Sequence, residues 1–130
     1  MAPKKSQRPL SPHLSIYKFP LTMMLSIIHR ITGSALYFGT ALLVWWLVAL
    51  AMGGQAFATV TWFMQSPIGL FILVGYTWAM FHHMFGGIKH FIWDFGKGFE
   101  LESVDFVAKI AVIIPVILTI IVWAVGLSLV

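Results

Sequence analysis

"ITGSALYFGTALLVWWLVALAM", residues 31–52, contains no Asp, Glu, Lys or Arg. A helix rises 1.5 Å per residue, so this stretch alone covers the roughly 30 Å hydrocarbon core of a bilayer. The uncharged stretch continues beyond it: after Arg30 the next Asp, Glu, Lys or Arg is Lys89. The whole chain of 130 residues is 60% hydrophobic and 9% charged, where a soluble domain carries about 25% charged residues. A chain this short has too much surface for its volume to hide so much apolar area from water. Its solvent is therefore lipid. The expected fold class is an all-α membrane protein with three transmembrane helices and an extended Pro-rich N-terminal arm.

Working outward, three runs are long enough to span. They are residues 25–52, 67–93 and 106–130, preceded by an arm over 1–24, and the whole of 1–130 reads as one membrane-anchor domain without internal repeats. Ser66-Pro67 has the pattern of a helix start, Ser as N-cap and Pro at the first helical position. "GGQAF" is expected to break the chain after the first span, and "DFGKGFELES" after the second. Pro115 is expected to kink the third. The N-terminus "MAPKKSQRPLSPHLSIYKFP" has no apolar core of its own, so it does not read as a cleaved signal peptide.

Charge sets the expected orientation. Lys4, Lys5, Arg8, Lys18 and Arg30 precede or open the first span, Lys89, Lys97 and Lys109 surround the second connection, and residues 53–65 carry no basic side chain. With three crossings all eight basic residues fall on one side, which the positive-inside rule makes cytoplasmic or matrix. The net charge of +4 thus reads as a topology signal and not as a nucleic-acid surface. Tyr17, Phe19, Trp93 and Phe95 would lie at the inner interface and Trp62 and Phe63 at the outer one.

Cysteine is absent, which excludes disulfides, iron–sulfur ligation and covalent c-type haem in this chain. The soft-metal ligands left are His13, His29, His82, His83 and His90. In "MFHHMFGGIKHFIWDFG", His83, Gly87, His90 and Asp94 recur at helical spacing and form one stripe, while His82 points about 100° away. A His beside glycines suits a flat, bulky cofactor whose ring needs close approach. The same pattern is open to a plainer account, in which the glycines are helix-packing points and the His are solvated near the headgroups. Two axial ligands cannot both come from the adjacent His82 and His83, so a second would come from His29 or another chain. In "SIIHRITG", Ser26, Arg30, Gly33 and Tyr37 share a face with His29 beside it. Arg30 could simply snorkel to the interface. A hydroxyl and a guanidinium facing one way also suit an oxygen-bearing ligand, a quinone carbonyl or a haem propionate.

"RPLSPHLSIYKFP", "SIIHRITG" and "HMFGGIKHFIWDFG", in that order and spacing, resemble the cytochrome b large membrane-anchor subunit of succinate dehydrogenase (succinate:quinone oxidoreductase, respiratory complex II). The arm resembles the version in mitochondria and related bacteria, and the expected location is a bacterial inner membrane with the N-terminus cytoplasmic. The resemblance implies an oxidoreductase subunit that is not catalytic alone. Its partners would be a flavoprotein, an iron–sulfur subunit, a smaller membrane anchor and the lipid, with no nucleic acid. It implies one b-type haem between the two anchors, with His83 as an axial ligand to the iron and the other axial His on the small anchor. By the same resemblance Ser26 and Arg30 bind ubiquinone, His29 and Arg30 lie by the haem propionates, and His90 has a supporting role. Two rival functions remain at this point: a cofactor-free scaffold, and the anchor of a quinol:fumarate reductase.

Overall fold

The computed structural model describes residues 17–129, and these form four helices: α1 (Leu21–Met52), α2 (Gly54–Gln65), α3 (Pro67–Asp94) and α4 (Leu101–Ser128). No strand occurs among the described residues. α1, α3 and α4 are long and apolar enough to cross a membrane. α2, with 12 residues, extends only about 18 Å and cannot. The arm expected over 1–24 lies outside the described residues as far as residue 16. Its last four residues, Leu21 to Met24, belong to α1, which starts directly after the extended Pro20. The amides of Met23 and Met24 donate to the Pro20 carbonyl at 3.1 and 3.3 Å. α4 likewise begins five residues before Phe106, with Glu102 in its first turn, where the helix dipole favours an anion.

The break at "GGQAF" is sharp but brief. Gly53 and Gly54 take φ of 67° and 51°, backbone that other residues rarely adopt, and the Gly53 amide donates to the Ala49 carbonyl at 2.9 Å. Nothing after Gly54 interrupts a helix until Ser66-Pro67, so the connection coils into α2. Val60 is fully buried there, and Phe63 packs its ring 5.5 Å from Trp45 of α1. The next corner follows the N-cap pattern of the sequence. The Ser66 hydroxyl accepts from the Gly69 amide at 3.1 Å and donates to the Phe63 carbonyl at 2.6 Å.

α4 runs unbroken through Pro115. Pro115 is buried on the packed face of α4, in the column Ala108, Ala111, Pro115 and Thr119. Such small side chains let helix backbones approach closely. The Thr119 hydroxyl donates to the Pro115 carbonyl at 2.7 Å, and near the other end the Trp123 indole donates to the Thr77 hydroxyl at 3.3 Å. α3 packs against both α1 and α4, which also touch each other. Neighbouring spans are antiparallel, so one end of the bundle gathers the start of α1, the end of α3 and the start of α4. Lys18, Arg30, Lys89, Lys97 and Lys109 belong to that end.

Candidate functional site

The face of α1 that meets α3 is interrupted by two glycines. A methyl group at Gly33 would lie 2.8 Å from Cε1 of His83, and one at Gly39 would overlap the Tyr76 ring. The relation is reciprocal, because a methyl at Gly86 of α3 would overlap Nδ1 of His29. Each helix thus removes a side chain where the other inserts an imidazole. The result is a stacked pair: the rings of His29 and His83 are parallel within 4° with centroids 4.0 Å apart. His90, two turns beyond His83 along α3, places its ring 5.3 Å from that of His29 and edge-on to Trp93 at 5.5 Å.

His83 is further fixed by a hydrogen bond from its Nδ1 to the backbone carbonyl of His29, 3.1 Å away. A carbonyl only accepts, so Nδ1 carries the proton and the lone pair resides on Nε2. This is the tautomer and the support that metal-binding histidines use. Nδ1 of His29, by contrast, is buried with no hydrogen-bond partner among the described residues.

The remaining site residues divide into two groups. Ser26 is half-buried in the second turn of α1, and Arg30, one turn on, is exposed on the surface of the bundle. Asp94 is exposed at the end of α3, and Tyr37 is largely exposed. His82 lies away from the stacked pair, only 3% exposed, with its ring 5.2 Å from that of Trp78. His13 lies outside the described residues. Gly87, which shares the stripe of His83 in sequence, meets nothing within 4 Å. The close approach is made at Gly86. The pairing of Gly33 with His83 is not legible from spacing, since it depends on the register between two helices distant in sequence.

Among the described residues no three His, Asp or Glu side chains converge on a common point. A metal held by protein ligands alone, such as structural zinc, lacks a ligand set here. A metal that brings its own equatorial ligands needs only axial imidazoles, and His83 fits one such position. His29 does not fit the other. Stacked face to face with His83, it cannot lie across an iron from it.

These features define a class: an all-α, three-span membrane protein that collects imidazoles at one end of its bundle. Residues 4–122 match the family described as succinate dehydrogenase/fumarate reductase transmembrane subunit. The chain is 44% identical over 99 residues to the succinate dehydrogenase cytochrome b556 subunit of Paracoccus denitrificans, covering 76% of each. It is 37% identical over 118 residues to the cytochrome b556 subunit of Rickettsia felis, covering 91% of this chain and 92% of that one. It is also 37% identical over 122 residues to the mitochondrial cytochrome b560 subunit of Mus musculus, covering 88% of this chain and 68% of that one. The chain belongs to the succinate dehydrogenase/fumarate reductase transmembrane subunit family. It is a multi-pass membrane subunit of an oxidoreductase, of the succinate dehydrogenase cytochrome b type.

Proposed function

We propose that this chain anchors a succinate dehydrogenase in a bacterial inner membrane, supplies one axial ligand to a b-type haem, and helps bind the ubiquinone that the complex reduces. The observation that carries the haem reading is the hydrogen bond from His83 Nδ1 to the His29 carbonyl, which leaves Nε2 as the donor to iron. Because His29 stacks on His83, a second imidazole for the haem would be supplied by another chain, which on this reading is the small anchor subunit. The haem supplies one-electron storage when bound. A cofactor-free scaffold has no use for a histidine locked in one tautomer against Gly33.

The residues of α1 do the rest. Succinate loses two electrons and two protons in becoming fumarate at the flavoprotein. The iron–sulfur subunit passes the electrons one at a time, and ubiquinone takes up two electrons and two protons to give ubiquinol. Ser26 donates a hydrogen bond to a quinone carbonyl oxygen and relays a proton to it. Arg30, one turn away and exposed, orients the same headgroup and stabilises negative charge as it develops on the oxygens. Its guanidinium also matches a propionate carboxylate, as does the His29 ring beside it. His90, packed between His29 and Trp93, holds the His29 ring in place.

Two measurements on the assembled complex test these roles. His83→Ala should abolish the b-haem absorbance of purified complex, and an unchanged spectrum would end the axial assignment. Ser26→Ala and Arg30→Leu should each slow quinone reduction by about 10²-fold, the usual cost of losing one such donor. Succinate oxidation by a soluble artificial acceptor should stay at its ordinary rate. Parallel loss of both activities would show that these residues serve assembly.

A further inference from the structure

Lys89 is 4% exposed, an unusual state for a lysine. Its ammonium lies over the Trp93 ring, 4.7 Å from the centroid, where the negative face of the ring attracts a cation. The other side chains beside it are apolar, among them Phe85, Ile88, Ile92 and Ile110. Among the described residues no carboxylate pairs with it. Asp105 is taken by Lys109 at 3.4 Å. Asp94 follows Lys89 by five residues, about 140° away around α3, and is exposed, as are Glu100 and Glu102.

Trp93 joins this position to the histidines. Its indole donates to the Gly98 carbonyl at 3.3 Å and its ring stacks against Phe99, so the second connection holds it still. The same ring meets that of His90 edge-on at 5.5 Å, His90 packs 5.3 Å from His29, and His29 is stacked on His83. Along α3 Lys89 lies six residues beyond His83, about 9 Å of rise. The ammonium and the ligand imidazole thus belong to one packed unit inside the bundle.

A charge in such surroundings acts further than one in water, because the local dielectric is lower and mobile ions screen it less. Reducing a haem adds one electron to the iron, lowers its positive charge by one, and makes or breaks no bond. A cation fixed nearby repels the oxidised form more than the reduced one. We propose that Lys89, held on Trp93 without a counter-ion, is an interior charge that raises the reduction potential of the haem ligated by His83. The proposal rests on the axial role of His83 and adds to it a residue that never touches the iron.

The test is a redox titration of the b-haem absorbance in the complete complex with its partner subunits. Lys89→Met keeps the apolar stem and removes the charge. At the wild-type midpoint its ratio of reduced to oxidised haem should fall by about threefold or more, with haem content unchanged. Lys89→Arg should titrate as wild type does. So should Lys97→Met, since Lys97 is exposed and its charge is screened by solvent. If the Met variant does not hold haem, Lys89→Gln takes its place and should show the same fall. An uncharged variant that keeps its haem and the wild-type midpoint would overturn the proposal and leave the axial role of His83 intact. An equal shift in Lys97→Met would also overturn it, by showing that net charge alone sets the midpoint. A His83→Ala complex that keeps the b-haem band would overturn the axial role, and this proposal with it.

Discussion

At the scale of the residue, the adjacent glycines of α3 differ in what a methyl group would meet. At Gly86 it would run into the His29 imidazole, whereas at Gly87 it would meet nothing within 4 Å. Gly86→Ala must therefore displace a ring that is itself stacked on His83, and overpacking of this kind costs about 1–3 kcal/mol. Gly87→Ala only removes a flexible residue from a helix interior, a change worth about 0.5–1 kcal/mol in the other direction. In purified complex, Gly86→Ala should lower the thermal midpoint and shift the haem absorbance, and Gly87→Ala should hold or raise the midpoint. The reverse order would show that His29 and His83 do not depend on the Gly86 notch. The sequence places His83, Gly87 and His90 on one stripe correctly as geometry within a helix. It does not reveal that the notch for His29 is at Gly86, or that Gly33 faces His83, because those facts belong to the α1–α3 interface and not to either helix alone.

At the scale of the element, the three spans follow from uncharged length, and the corner at Ser66-Pro67 follows from capping chemistry. α2 does not. The pair Gly53-Gly54 reads as the start of a loop, yet both glycines are used within one turn and the chain re-enters a helix immediately. Pro115 lacks the amide that would close a helix bond, and α4 continues past it with Pro115 buried. The α2–α3 corner can be dissected by two substitutions of unequal cost. Ser66→Ala removes the acceptor for the Gly69 amide, a loss of about 1 kcal/mol for an N-cap. A methyl at Gly69 would overlap the Phe63 carbonyl oxygen and lie 2.8 Å from Cα of Met64. Those atoms are backbone and cannot rotate away. Gly69→Ala should thus lower the thermal midpoint more than Ser66→Ala does, and equal midpoints would mean that α2 is free to shift relative to α3.

At the scale of the whole molecule, orientation depends on a charge asymmetry that the packing preserves. Among the described residues every Lys and Arg belongs to the end formed by the start of α1, the end of α3 and the start of α4, while the α2 end has none. Keeping those side chains out of the translocated segments is the basis of the positive-inside rule. On the proposed reading the rule assigns the second connection, and with it the turn of α1 that carries Ser26 and Arg30, to the cytoplasmic side. The chain has no cysteine, so single reporters can be introduced without background. Glu100→Cys marks the second connection and Gln55→Cys the start of α2, both at exposed positions. In sealed inverted membrane vesicles a membrane-impermeant maleimide should label Glu100→Cys and spare Gln55→Cys, and in right-side-out vesicles the pattern should invert. Labelling of both from one side would mean that α3 does not cross. The opposite pattern would place Ser26 and Arg30 at the far face and separate them from the iron–sulfur subunit's electrons by the thickness of the bilayer.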